Sequence, residues 1–377
     1  MTICCCLIPL SSCNDTEEFY ASNEQDRDED SITGDNYIYH LPVIFHVIYN
    51  DSKDPKQYIS ASRLRSILNN VNELYQGYIY NMEGSESENI YVNFELATHD
   101  EQGRKLSTPG VEYIKYNGDY PIDCDKFMRD KSGKYAKYIW DPNEYINVML
   151  YNFEQTKESS TTLGISIMPY SYDRYPDLEG LEKTKYATLS KTNLSNPYCI
   201  SINSLFADRE GTRYTTDKGK NNYEYTSLDV NITLAHEIGH YLGLHHVFAQ
   251  EKTEHGYEPV DECIDTDYCK DTPTYNRIAY EDWYLNYLKE HQNDSTLSMV
   301  PLVARTGIDG EQWNSANLMD YSVSYSFKFS TEQKERMRQV LYYSPLIPGP
   351  KKPRTGTRGK TTEAPTGIVD LPIQLAQ

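Results

Sequence analysis

Three histidines and one glutamate fall at spacings that chemistry can use: His236-Glu237-Ile238-Gly239-His240, followed by Gly243 and His246. On a helix, His236 and His240 stand at i and i+4 on one face and can aim both imidazoles at a single ion. Zinc accepts such nitrogen ligands in a tetrahedral site. His246 lies one further turn along, past Gly243. A third ligand there requires the chain to leave the helix sharply, and glycine admits the φ > 0 conformation that such a turn needs. Three protein ligands leave a fourth position open for water or substrate, as a catalytic zinc requires. Glu237, beside the first ligand, is placed to act as general base on an activated water. His245 adjoins the third ligand in sequence, but the spacing favours His246, and His245 is expected to face elsewhere.

These side chains need a frame. Leu41 to Tyr49 is β-branched and aromatic and reads as a buried strand, with His46 as a packed strand histidine. Leu64, Ile67, Leu68, Val71, Leu74, Tyr75 and Tyr78 recur at helical spacing, behind a cap at Ser60 or Ser62. Ile90, Val92, Phe94 and Leu96 alternate, giving one apolar sheet face. Tyr145 to Phe153 and Leu163 to Met168 read as further strands, the second near the rim of the site, and Cys199 to Asn203 leads towards the histidine helix. Near the end, Ser330-Thr331-Glu332-Gln333 is a capping box that opens a helix continuing through Arg336-Met337 and Val340-Leu341.

The long pattern H-E-x-x-H-x-x-G-x-x-H is the signature of metzincin peptidases. Downstream, Asn317-Leu318-Met319-Asp320-Tyr321 resembles their methionine turn, and its form N-x-M-D-Y is similar to that of the pappalysin family. The strand around Pro42 to Tyr49, the order of elements and the closing F-S-x-x-Q-x-x-R-M helix also resemble that family, from about Leu41 to Leu341. The resemblance implies an α/β (α+β) metzincin-like domain: a twisted mixed sheet with the active-site helix, and a smaller C-terminal subdomain. It implies zinc on His236, His240 and His246, Met319 beneath the metal, and Tyr321 near it as a stabiliser of the transition state. It implies a zinc endopeptidase, with protein or peptide substrates lying extended in the cleft and adding as a strand to the sheet edge. The acidic loop from Asp261 to Pro273 resembles a pappalysin segment that binds structural calcium, with Asp265, Asp267, Asp271 and Thr272 as candidate ligands. Some pappalysins prefer arginine after the cut, through an acidic residue just past the methionine-turn tyrosine. Here that loop is Ser322-Val323-Ser324-Tyr325-Ser326, without an acid, so apolar or small side chains are expected there, with Val323 or Tyr325 as the pocket wall.

The 377-residue chain carries a net charge of −20, which speaks against nucleic-acid binding. Residues 1–13 end in Leu10-Ser11-Ser12-Cys13, which resembles a bacterial lipobox with Cys13 as the lipidated residue. Residues 14–36 are acidic and read as a disordered tether. Together they point to an exported protein, lipid-anchored to the bacterial outer membrane and exposed at the cell surface. In that setting Cys124, Cys199, Cys263 and Cys269 suggest disulfides. Three connectivities are possible, and Cys263–Cys269 with Cys124–Cys199 is the one expected. The catalytic domain is placed at residues 37–344, divided at 243/244, and residues 345–377 are expected to form a flexible basic tail. A reading from another class is a surface adhesin that keeps the fold and hydrolyses little. Glu237 weighs against it, since a binding-only site has no need of that carboxylate.

Overall fold

The computed structural model describes residues 36–78, 86–155, 161–173, 178–208, 229–253, 256–291, 300–321, 323–351 and 363–377. Cys13 and the acidic stretch up to Asp35 lie outside them. In chain order the strands and helices begin with β1 (Tyr39–Tyr49), α1 (Ala61–Tyr75), β2 (Val92–Leu96), β3 (Val111–Lys115), α2 (Cys124–Met128) and β4 (Ile146–Tyr151). There follow β5 (Gly164–Ile167), β6 (Ser171–Tyr172), β7 (Lys183–Thr184), β8 (Ile200–Asn203) and α3 (Val230–Tyr241). The remainder is β9 (Gln250–Thr253), β10 (Gly256–Pro259), α4 (Arg277–Glu290), β11 (Ala304–Thr306), β12 (Gln312–Asn314), α5 (Thr331–Tyr343) and β13 (Leu375–Ala376).

β1 is the spine of a seven-stranded mixed sheet ordered β13-β5-β8-β4-β1-β2. It is apolar and buried on both faces, the pattern of a strand covered on two sides. Its first half pairs in parallel with β2, from Tyr39↔Val92 to Val43↔Leu96. Its second half pairs with β3 on the same side, from Phe45↔Val111 to Tyr49↔Lys115. β4 and β8 continue the parallel run, and β5 reverses it by lying antiparallel to β8. His46 is a packed strand histidine, as expected, held by Glu112 at 2.8 Å and Asn147 at 2.9 Å.

α1 forms where the apolar periodicity places it. Ser60, not Ser62, caps it by accepting from the Arg63 N–H, and Tyr78 lies beyond its end with its ring exposed. Its buried stripe packs on β2 and α3; at its end the Tyr75 hydroxyl, fully buried, donates to the Ala235 carbonyl at 2.9 Å. α3 starts at an Asp229 cap and is buried almost all round, so it lies inside the molecule. The Ser330–Gln333 capping box opens α5 as read.

Two expectations are corrected. Residues 345–377 are not a flexible tail throughout. Leu346 and Ile347 are buried just past α5, where the Tyr241 hydroxyl donates to the Leu346 carbonyl. Beyond the basic stretch, the apolar run around Leu371 to Ala376 buries Leu371, Leu375 and Ala376 and joins the sheet as β13. The disulfides are absent as well: all four described cysteines are free thiols. The Cys199 thiol points inward to Met128 Sδ at 3.6 Å, and that of Cys263 donates to the Thr274 carbonyl at 3.6 Å. No helix among the described residues is long and apolar enough to cross a membrane.

Candidate active site

α3 carries His236, Glu237 and His240, all buried. Its end is set by Gly243, whose φ of +91° a side-chain-bearing residue rarely adopts, and a Cβ there would meet Val340 at 2.8 Å. The turn is fixed from outside by Arg336 of α5, which donates to the Gly243 carbonyl at 2.6 Å. The chain then brings His246 back over the helix. The three Nε2 atoms converge: His236 and His240 at 3.0 Å, His240 and His246 at 3.1 Å, His236 and His246 at 3.2 Å.

These contacts are not hydrogen bonds, because every Nδ1 already faces an acceptor. His236 Nδ1 donates to the Leu318 carbonyl at 2.7 Å, His240 Nδ1 to the Leu244 carbonyl at 2.8 Å, and His246 Nδ1 to Gln250 Oε1 at 2.8 Å. With the proton on Nδ1, each Nε2 presents a lone pair, and three lone pairs facing one another repel unless a cation lies between them. Burial pushes the His236 imidazolium down to about 4, and burial with the neighbouring rings holds His240 and His246 well below the usual range. The rings are therefore neutral, the form that binds metal. Among the described residues this is the one cluster of three or more such side chains able to hold a metal ion.

Glu237 is buried beside the cluster, and its Oε2 has no hydrogen-bond partner. Burial pushes its carboxyl well above the ordinary range. Gly164 of β5 lies against it so closely that an added Cβ would stand 2.6 Å from Glu237 Oε1. Met319 lies below α3, where a Cβ on Gly239 would meet its Sδ at 2.5 Å. Two residues on, the Tyr321 ring stands 4.6 Å from the His246 ring, and Phe248 stacks on His246 at 4.7 Å. Burial pushes the Tyr321 phenol up, so it remains a neutral donor.

The methionine turn is held by a buried ion pair that the sequence reading missed. Arg305 Nε donates to Asp320 Oδ2 at 3.1 Å, with both side chains almost fully buried. Asp320 Oδ1 accepts from the Tyr275 hydroxyl at 2.5 Å and from the Tyr321 N–H at 2.7 Å. Arg277 was also missed; its guanidinium lies 5.2 Å over the Tyr321 ring. Gln250, the orienting partner of His246, stands four residues after it, a spacing that would have flagged it. His245 faces elsewhere, as expected, with its ring 4.7 Å from that of Tyr257.

The calcium expectation is not supported. Asp271 is spent on the start of α5, accepting from the Ser330 hydroxyl at 2.6 Å and the Glu332 N–H at 2.9 Å. Asp265 accepts from the Asp267 N–H at 3.3 Å, and Asp267 accepts from the Cys269 N–H at 2.9 Å and faces Thr272. Among the described residues Asp265, Asp267 and Asp271 are not brought together as a metal-holding group.

Residues 208–342 match the profile of a peptidase family, M43, described as pregnancy-associated plasma protein-A. The matched stretch contains the three converging histidines, Glu237 and the Met319 turn. Over this stretch the chain is similar to the pappalysin family of metallopeptidases. The chain is a metalloendopeptidase of mixed α/β fold. No curated protein matches its sequence. Solved structures similar to it include Tannerella forsythia mature mirolysin in complex with a cleaved peptide, at 19% identity and a TM-score of 0.46, covering 80% of this chain and 90% of that one. Mirolysin in complex with a compound is 18% identical with a TM-score of 0.48, covering 81% and 92%. A mutant promirolysin from the same organism is 18% identical with a TM-score of 0.47, covering 82% of each chain.

Proposed function

We propose that this chain acts as a pappalysin, holding one zinc ion on His236, His240 and His246 and cleaving exported proteins and peptides internally. The observation that carries the reading is the convergence of three Nε2 lone pairs, each Nδ1 committed to an acceptor, beside a buried glutamate with an unpartnered oxygen. Zinc there supplies Lewis-acid activation of water and of the scissile carbonyl. Glu237 takes a proton from the attacking water on its carboxylate and passes it to the leaving amine. The Tyr321 hydroxyl donates to the oxygen on which negative charge develops. The adhesin reading leaves the position of Glu237 without a use.

Within the loop after Tyr321, Val323, Ser324, Tyr325 and Ser326 are buried and none is acidic; Ser322 lies outside the described residues. An arginine side chain placed there would be desolvated without a partner, at several kcal/mol. Apolar or small residues after the cut fit better. The leader pattern ending at Cys13 supports export and lipid anchoring at the outer membrane, and labelled fatty acid that persists in Cys13→Ala would remove that part of the reading.

The test of the chemistry is Glu237→Ala beside Tyr321→Phe. Glu237→Ala keeps stoichiometric zinc and loses activity by orders of magnitude, and Tyr321→Phe loses roughly tens- to hundreds-fold. Equal losses, or zinc retained in full by an active His246→Ala, overturn the assignment.

A further inference from the structure

The sheet does not end at β5. Leu375 of β13 lies opposite Ile167, and Ala376 opposite Ser166, in antiparallel register. The Met168 N–H donates to the Gln374 carbonyl at 2.9 Å. Without β13, β5 would be the outermost strand on this side, and β5 is the strand whose Gly164 lies against Glu237. The added segment runs towards the histidines. At its start the Tyr170 hydroxyl donates to the Pro372 carbonyl at 2.8 Å. At its end the Gln377 carbonyl accepts from the Tyr321 hydroxyl, and Thr162 Oγ1 stands 3.5 Å from Gln377 Oε1.

The segment is seated by its side chains as well. Gln374 is buried; its Oε1 accepts from the Glu182 N–H at 2.8 Å, and its Nε2 donates to the Gly180 carbonyl at 2.6 Å and the Tyr257 hydroxyl at 2.7 Å. Gly180, Glu182 and Tyr257 also line a cleft of about 540 Å³. Leu375 and Ala376 are 1% and 4% exposed.

We infer that residues 371–377 occupy the groove meant for substrate, as an intramolecular competitor whose Gln377 carbonyl stands where the carbonyl to be cut would stand. This rests on the catalytic reading of Glu237 and Tyr321 given above. Strand addition draws affinity from main-chain hydrogen bonds, so an edge that takes this segment takes other extended peptides in the same register. The N-to-C direction brings the Gln377 carbonyl to the hydroxyl assigned to stabilise that oxygen. Tethering raises the effective concentration of the segment, so modest intrinsic affinity is enough to exclude a dilute substrate. The same register describes the preceding subsites: one that buries a leucine, one that admits an alanine, and one open enough for glutamine beside Tyr321.

The experiment compares the zinc-loaded chain with one lacking residues 371–377 on a quenched peptide library. The shortened chain is expected to show an apparent KM at least about tenfold lower with kcat unchanged, the signature of a competitor removed. Synthetic Leu-Pro-Ile-Gln-Leu-Ala-Gln added to it restores inhibition competitively. Ala376→Pro removes an N–H from the added strand and gives partial activation in the full-length chain, which covers failure of the shortened one to fold. Equal KM in natively folded full-length, shortened and Ala376→Pro chains, with no inhibition by the heptapeptide, overturns the inference and leaves the peptidase reading intact. If no chain cuts any peptide, yet labelled heptapeptide binds the shortened chain and not the full-length one, the groove assignment stands and the catalytic reading falls.

Discussion

Replacing Asp267 by Asn is expected to stabilise the protein at alkaline pH. The side chain is 3% exposed, and burial pushes its carboxyl up to about 8. The local geometry also calls for a proton. Thr272 Oγ1 stands 2.5 Å from both Asp267 Oδ2 and the Cys269 carbonyl, and one hydroxyl hydrogen cannot serve two acceptors. A proton on Oδ2 resolves this: Asp267 donates to Thr272, and Thr272 donates to Cys269. The Asp265 carboxylate pushes the same way. Arg336, the cation whose own ionisation responds to Asp267, is already bonded to the Gly243 and Glu179 carbonyls. An aspartate in the unfolded chain titrates near 4. Below that pH both states hold the proton and nothing is lost. Between roughly 4 and 8 only the folded state holds it, so stability falls as pH rises, and above about 8 the loss is complete. Carried from 3.8 to about 8, the difference is ~6 kcal/mol at most, and loop relaxation reduces it to ~2 kcal/mol. Asparagine offers an N–H where the carboxyl proton stood. Calorimetry across pH, with and without added calcium, should place the midpoint of Asp267→Asn about 4 °C above wild type near pH 8.5 and level with it near pH 4. A variant less stable than wild type at alkaline pH, or a wild type stabilised by calcium, would show that the carboxylate is ionised and that the loop holds a cation.

Asp320→Ala leaves the buried Arg305 guanidinium uncompensated and should destabilise by about 3–5 kcal/mol in urea titration; a loss under about 1 kcal/mol would mean that solvent reaches the pair. Gly164→Ala brings a Cβ to 2.6 Å from Glu237 Oε1, so kcat should fall while zinc stays stoichiometric; unchanged kcat would show that β5 yields. Gly243→Ala should lose about 1–3 kcal/mol from the left-handed backbone alone, read by thermal unfolding, and a neutral result would deny that the turn is strained.

Much of the frame was legible because burial writes itself into periodicity. β1, α1 and the alternating β2 were read from apolar spacing, and Ser60 and the Ser330–Gln333 box from cap chemistry. α4 escaped because it buries little beyond Arg277 and Tyr280 and so shows no apolar stripe. β13 escaped because the basic composition before it masked a short apolar run. In the site, the histidines, Glu237, Met319 and Tyr321 follow from a local pattern. The pairing of Arg305 with Asp320 and the approach of Gly164 to Glu237 join residues far apart in the chain, and nothing local marks them.

The histidine supports differ in their exposure to genetic change. His236 and His240 lean on main-chain carbonyls, of Leu318 and Leu244, which no substitution of the supporting residue deletes. His246 leans on the side chain of Gln250, which a single codon change can replace. Two thirds of the cluster's orientation is thereby insulated from point mutation and one third is open to it. Selection acting on metal affinity across related sequences therefore has one readily adjustable support, at position 250, and a library varied there samples the basicity of one imidazole while the other two stay as they are.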